Sequence, residues 1–141
     1  MSTNRNKELV RRFYEQVVNT GDTTAIADFI APDCVEVDGQ RQVPSGIDGM
    51  IAHVQGVRSV YPDLQLTIVR QIAEADLVAS EIVAAGTHAG EWIGIRPTGQ
   101  RLVFTGVNVD RVRDGRIVEH GGAANMLQPL LAAGALRVVG P

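Results

Sequence analysis

Asp110 and His120 are the two side chains of this sequence best suited to move a proton together, and Asn108 stands two residues from the first of them. A histidine changes charge near neutral pH, and a carboxylate beside it suits proton transfer to or from an organic substrate. An amide can hydrogen-bond the oxyanion that results. All three residues fall on β-prone segments joined by Arg113-Asp114-Gly115. A type I turn followed by a left-handed glycine there predicts a three-residue hairpin loop. Val112 then lies opposite Arg116, Asp110 opposite Val118, Asn108 opposite His120 and Gly106 opposite Gly122, with the last three pairs sharing one face. A two-residue loop would shift the register by one and put Asn108 and His120 on opposite faces.

That face is apolar at Leu102 and Phe104 and polar in its middle, and Gly106 and Gly122 carry no side chain. Glycines leave space and unpaired polar groups want a ligand or water, so the pattern predicts a cavity. The plainer alternative is that the three polar groups satisfy one another or sit at a solvated rim. On the preceding strand Ile82, Ala84, Gly86 and His88 share the face that would line the same cavity, and His88 is a further candidate for proton transfer. The segment Ala89-Gly90-Glu91-Trp92 can place the Glu91 carboxylate and the Trp92 indole at the mouth. Tyr14 can point its hydroxyl into the cavity from the first helix. His53, with Met50, Val54 and Val57 as helical neighbours, reads as a rim or core histidine, and Cys34 as a small buried hydrophobe.

Other chemistries lack their signatures. No phosphate-cradling glycine loop, Gly-x-Ser-x-Gly elbow or His-Glu-x-x-His helix occurs. His88, His120 and Asp110 are far apart in sequence, without the spacing diagnostic of a two-histidine, one-carboxylate iron site. No metal or nucleotide cofactor is implied.

The elements that must position these residues follow from periodicity. Leu9, Val10, Phe13, Val17 and Val18 predict an amphipathic helix over Lys7 to Asn19, and Asp22 caps a second, short helix over Thr23 to Ile30. Cys34 to Asp38 alternates as a strand, Gly39 to Gly46 reads as a loop, and Ile47 to Val60 as a third helix. Strands are expected over Leu64–Val69, Leu77–His88, Arg101–Arg113 and Arg116–Ala124. Helices followed by strands predict one α+β domain over residues 1–141, with three helices covering one face of a strongly curved antiparallel sheet. The opposite face, with Val103, Val107, Val109, Ile117 and Glu119, is apolar enough to predict a homodimer built through it.

Composition narrows the class. The chain has 141 residues, 45% of them hydrophobic and 21% charged, a globular profile. A net charge of -3 with scattered basic residues offers no footprint for nucleic acid. One cysteine cannot form an internal disulfide, and no apolar run approaches the roughly 20 residues that span a bilayer, so a cytoplasmic protein without membrane or nucleic-acid partners is expected.

Asn6-Lys-Glu-Leu-Val-Arg-Arg-Phe-Tyr-Glu-Gln-Val-Val-Asn-Thr-Gly-Asp22, Tyr61-Pro-Asp-Leu64, Gly86-Thr-His-Ala-Gly-Glu-Trp-Ile-Gly-Ile-Arg-Pro-Thr-Gly99 and Asp114-Gly-Arg-Ile-Val-Glu-His120 together carry a resemblance. In order and spacing they resemble the SnoaL-like polyketide cyclase family over nearly the whole chain. The resemblance implies a cone-shaped α+β barrel of the nuclear-transport-factor or cystatin-like kind. For the family's cyclases it implies a metal-free intramolecular aldol closure, driven by an aspartate on the last strand and assisted by a histidine on the strand before. The family's Glu-His-Trp-Asp reads Glu119-His120-Gly121-Gly122 here, and Asn108 stands at the histidine position. Neither asparagine nor glycine can take a proton at neutral pH.

The resemblance extends to tailoring hydroxylases that act on anthracycline-type polyketides without flavin, haem or metal, and cofactor-independent hydroxylation of a hydrophobic polycyclic aromatic molecule is the expected activity. An electron-rich phenolic substrate, once deprotonated, can pass an electron to dioxygen itself, so the protein need only bind, deprotonate and exclude water. On that reading His120 or Asp110 is the base and Asn108 hydrogen-bonds the oxyanion. His88 and Tyr14 orient the polycycle, and Trp92, Phe104 and Ile82 supply flat apolar contacts. A separate reductase supplying reduced substrate would be a partner. Two alternatives stand beside it: a cyclase or isomerase whose base has moved to Asp110 or His120, and a small-molecule binding protein that keeps the cavity without a base.

Overall fold

Leu9, Val10, Phe13 and Val17 recur at helical spacing, and in the structure, a computed structural model describing residues 2–140, they bury one side of α1 (Thr3–Phe13) and of the turn that follows. At Tyr14 the helix widens into a π turn (Tyr14–Val18), closed by the Asn19 N–H donating to the Tyr14 carbonyl at 2.9 Å. Such turns occur often at functional sites, because the extra residue re-aims the side chains around it. The helix expected over Thr23–Ile30 shrinks to one 3-10 turn (Ile26–Asp28). Ile30 is drawn instead into β1 (Ile30–Asp38), where it pairs with Ile117. The expected loop over Gly39–Gly46 is a hairpin: β2 (Arg41–Pro44) folds back on β1 through Gly39, whose φ is +61°. Pro44 is tolerated because β2 is the edge of the sheet, where a missing N–H breaks no ladder. Next comes α2 (Gly46–Val60), as the sequence predicts to within a residue.

The strands β3 (Gln65–Glu74), β4 (Leu77–Thr87), β5 (Arg101–Arg113) and β6 (Arg116–Asn125) form an antiparallel meander, and β6 then pairs with β1 in parallel. The six-stranded sheet therefore has the order β2-β1-β6-β5-β4-β3 and is antiparallel in all but one pair. Its inner face packs against α1, the π turn and α2 through Val10, Phe13, Met50, Val54, Val78 and Ile117. A second cluster closes the far end, where Leu130 of α3 (Leu127–Ala132) meets Val60, Tyr61, Leu64 and Leu102. No described helix is long and apolar enough to cross a membrane.

The turn between β5 and β6 differs from the sequence reading. Asp114 and Gly115 have φ of 50° and 75°, so the connection is a two-residue type I′ turn with Arg113 opposite Arg116. By itself this would have separated the polar residues onto two faces. Val118 prevents it: Val112 faces Ile117 but Arg111 faces Glu119, so Val118 is the extra residue of a bulge. Parity is restored beyond it, and Asp110 lies opposite His120, Asn108 opposite Gly122 and Gly106 opposite Ala124. Ile117, before the bulge, points inward and is fully buried rather than joining the outer face. Glu119, after it, points outward to Arg111 at 3.0 Å. Val103, Val107 and Val109 stay 47%, 45% and 42% exposed on that outer face.

Candidate active site

One row across the inner face of the sheet carries the ionisable groups. Glu36 of β1 lies opposite His120 of β6, which lies opposite Asp110 of β5. The Asp110 side chain is completely buried and both its oxygens are used. Tyr14 donates its hydroxyl to Oδ2 at 2.5 Å, and His120 Nδ1–H donates to Oδ1 at 2.6 Å. Two charge-assisted hydrogen bonds on one buried carboxylate hold the imidazole's tautomer and plane, and leave Nε2 as the free edge of His120. Across from it stands His53 of α2. The two rings meet edge to face, with centroids 5.5 Å apart and planes at 86°. His53 Nδ1 lies 3.0 Å from Glu36 Oε1, a more exposed ion-pair contact than that of His120 with Asp110.

These surroundings push the groups apart. Burial lowers the proton affinity of His120, but the adjacent Asp110 charge and its hydrogen bond outweigh burial, and the pKa is raised above the ordinary 6.5. His53 moves the other way: burial and then repulsion from His120 lower it below 6.5, and the attraction of Glu36 only partly offsets them. Tyr14 is raised well above 10.0 by burial and then by the Asp110 charge, so it stays a neutral donor. The arrangement thus favours the protonated form of His120 and the neutral form of His53, a pairing able to give a proton at one point and take one at another.

A cavity of about 160 Å³ lies over this row, lined among others by Tyr14, Met50, Ile82, Phe104, Asn108 and His120. It shares His53, Val57, Phe104 and Ala124 with a wider mouth of about 510 Å³ bordered by Tyr61, Glu91, Trp92 and Met126. Together they fall within the range that holds a drug-sized molecule. The space does not come from glycines, contrary to expectation. A Cβ on Gly122 would sit 2.4 Å from the Val107 carbonyl oxygen and 2.6 Å from Asn108 Oδ1, and one on Gly106 would sit 2.8 Å from the Ala123 oxygen. These glycines mark close approaches of backbone, and the room lies between the sheet and the helices instead.

The structure brings Asp110, His120, Asn108, Tyr14, Ile82 and Phe104 together around the cavity and places Trp92 and Glu91 at its mouth. Tyr14 spends its hydroxyl on Asp110, so it positions the carboxylate rather than reaching for a guest. His88 is not brought to this group. It extends β4 ten residues beyond Val78, the partner of Asp110, on the order of 30 Å along the strand. There it is buried against Tyr61, with ring centroids 5.8 Å apart, and its Nδ1 accepts from the Thr98 N–H at 3.3 Å. The iron triad of His88, His120 and Asp110 is therefore not assembled. Cys34 is a buried hydrophobe as expected, its thiol pushed up to about 11 by burial.

Glu36 is the residue the sequence reading missed, and His53 is one it assigned to the rim or core rather than to the site. Glu36 was accessible to it, since Cys34 and Glu36 share one face of an alternating strand and Cys34 is inward. His53 lies at the border of the buried stripe of α2, where helical phase alone does not decide between rim and site.

The comparisons with known proteins agree with this geometry. The sequence pattern described as SnoaL-like polyketide cyclase matches residues 8–132. Aklanonic acid methyl ester cyclase AcmA of Streptomyces galilaeus is 32% identical over 114 residues, covering 79% of this chain and 78% of its own. Nogalonic acid methyl ester cyclase of Streptomyces nogalater is 28% identical over 104 residues, covering 72% and 78%. AclR of Streptomyces galilaeus, a candidate hydroxylase of solved structure, superposes with a TM-score of 0.82 at 34% identity, covering 99% of this chain and 87% of its own. Matched by that pattern over residues 8–132 and 32% identical to AcmA over 79% of its length, the chain belongs to the SnoaL-like polyketide cyclase family.

Proposed function

We propose that this protein is a tailoring enzyme of anthracycline-type polyketides that closes a ring by intramolecular aldol chemistry. The observation that carries the reading is the Tyr14, Asp110 and His120 chain in the wall of a largely apolar cavity, with His120 Nε2 as its free edge. An aldol closure turns a ketone oxygen into an alkoxide, and an imidazolium held by a buried carboxylate supplies the proton and the hydrogen bond that this oxygen needs. Asn108, lining the same cavity, is placed to hydrogen-bond the enolate oxygen. Phe104, Ile82 and Trp92 offer the flat apolar surface a polycycle requires. The curated relatives AcmA and nogalonic acid methyl ester cyclase support cyclisation over the hydroxylation expected from the sequence. Asp110 is not the base on this reading, because both its oxygens are engaged.

A second reading, cofactor-independent hydroxylation, is favoured by the likeness to AclR and by Gly122, which stands where the resemblance implies an aspartate. There dioxygen is the co-reactant, and the reduced substrate provides the electrons. One experiment separates the readings: purified protein is incubated with aklanonic acid methyl ester, and with a sample of the ester reduced beforehand, under dioxygen and under nitrogen. Cyclisation gives a product of unchanged mass at equal rates in both gases. Hydroxylation needs dioxygen and adds one oxygen atom. No turnover in either gas, together with binding that survives Asp110→Ala and His120→Ala, identifies a binding protein. The exposed row Val103, Val107 and Val109 supports a homodimer built through the outer sheet face.

A further inference from the structure

We propose that His53 Nε2 is the group that takes the substrate proton, with Glu36 as the positioning residue that holds the ring for it. This assignment rests on the proton-transfer reading above and supplies the base which that reading leaves unnamed. Three geometric observations carry it. His53 borders the deep cavity, its mouth and a third hollow of about 400 Å³ beside β1, so it stands where all three spaces meet. Its Nδ1 lies 3.0 Å from Glu36 Oε1, a contact that favours the ring proton on Nδ1 and leaves the Nε2 lone pair as the free one. Its ring meets the His120 ring at 5.5 Å and 86°, so a substrate carbon and a substrate oxygen can touch one histidine each. The aspartate expected for this step is absent at Gly122, and any side chain there is excluded by the Val107 oxygen.

The step balances without a co-reactant. His53 Nε2 takes the proton from a carbon flanked by carbonyl groups, and the electron pair of that C–H bond becomes the enolate. The enolate carbon attacks the ketone carbon, a C–C bond forms, and the carbonyl π pair moves to oxygen. That oxygen takes the proton of His120 Nε2–H. His53 then holds one proton more and His120 one fewer, and because both rings border the hollow beside β1, exchange with solvent there releases the one and restores the other. The product is an isomer of the substrate.

The charged and titratable groups that share the hollow with His53 are Glu36 and Asp38 of β1, Arg41 of β2 and His120 of β6, and of these His120 lowers and Glu36 raises its proton affinity. Glu36 holds the His53 proton affinity up, so removing its charge moves the acidic limb of kcat/KM to lower pH. The His53 side chain is 41% exposed, which makes His53→Asn tolerable to the fold.

The test uses aklanonic acid methyl ester and the wild type, His53→Asn, His53→Ala and Glu36→Gln proteins. His53→Asn is expected to lose on the order of 10²- to 10⁴-fold in kcat. Its KM should change little and its acidic limb should vanish. Added imidazole should restore part of the loss in His53→Ala. Glu36→Gln should lose about tenfold, the lower end of what outer partners of a histidine contribute, with its acidic limb displaced downward. A His53→Asn protein within threefold of wild type, or one that keeps the acidic limb, overturns the assignment. A wild type that does not convert the ester counts against the cyclase reading instead. His53 is then decided by its ring ¹⁵N shifts: the Nδ1–H tautomer at neutral pH upholds the assignment, and the Nε2–H tautomer or a protonated ring refutes it.

Discussion

Asp110→Asn isolates what the buried carboxylate contributes. The substitution keeps shape, and Tyr14 can still donate to the remaining oxygen, so the loss concentrates on the 2.6 Å bond to His120. A hydrogen bond between a charged pair contributes ~1.5–3 kcal/mol, and a larger penalty is avoided because His120 can release its proton. At 1.36 kcal/mol per decade this corresponds to a loss of roughly 10- to 150-fold in kcat/KM. The sign of the pH effect is the sharper check. In the wild type the folded-state pKa of His120 is raised, so its contribution to stability is fully present below the unfolded value of about 6.5 and is lost as pH rises through the folded value. With the carboxylate gone, burial is opposed only by the charge of Glu36, and the pKa falls from its wild-type position. Thermal melts between pH 5 and 9 should then show stability declining on the alkaline side for wild type and no such decline for Asp110→Asn. His53, lowered in the folded state, costs stability as pH falls below about 6.5, a contribution opposite in sign to that of His120. An Asp110→Asn protein with wild-type activity and an unchanged alkaline decline would refute the reasoning.

Gly122→Asp, which restores the carboxylate that the family resemblance implies, should destabilise by about 1–3 kcal/mol without raising turnover, since its Cβ collides with the Val107 oxygen; a faster enzyme would contradict the packing. Arg58 donates to the carbonyls of Val18, Asn19, Pro62 and Leu64, tying α2 to the π turn and to the start of β3; Arg58→Ala should cost on the order of 2–3 kcal/mol in urea unfolding. Light scattering should give the mass of two 15.1 kDa chains for wild type and of one for a Val107→Lys, Val109→Glu variant.

The sequence revealed the polar row for a reason that survived a wrong turn. Face assignment depends only on parity, and a turn one residue shorter followed by a bulge of one residue at Val118 shifts the pairing by two. Asp110 and His120 therefore share a face as expected, while the partner of Asn108 changes from His120 to Gly122. Ile117 went to the wrong side because it precedes the bulge. The β1–β2 hairpin was hidden by Pro44, which argues against a strand unless the strand is known to be an edge. Gly106 and Gly122 were misread because composition cannot distinguish a glycine that leaves room from one that has none. His88 was correctly placed on the inward face of its strand, but position along a strand eleven residues long is a matter of register, which local pattern does not fix.

The most direct measurement is a crystal structure of the His53→Asn protein with aklanonic acid methyl ester. The account expects the polycycle against Phe104 and Trp92, with a substrate oxygen about 3 Å from His120 Nε2. An ester seated elsewhere on the protein, with the space between His120 and α2 empty, would contradict it.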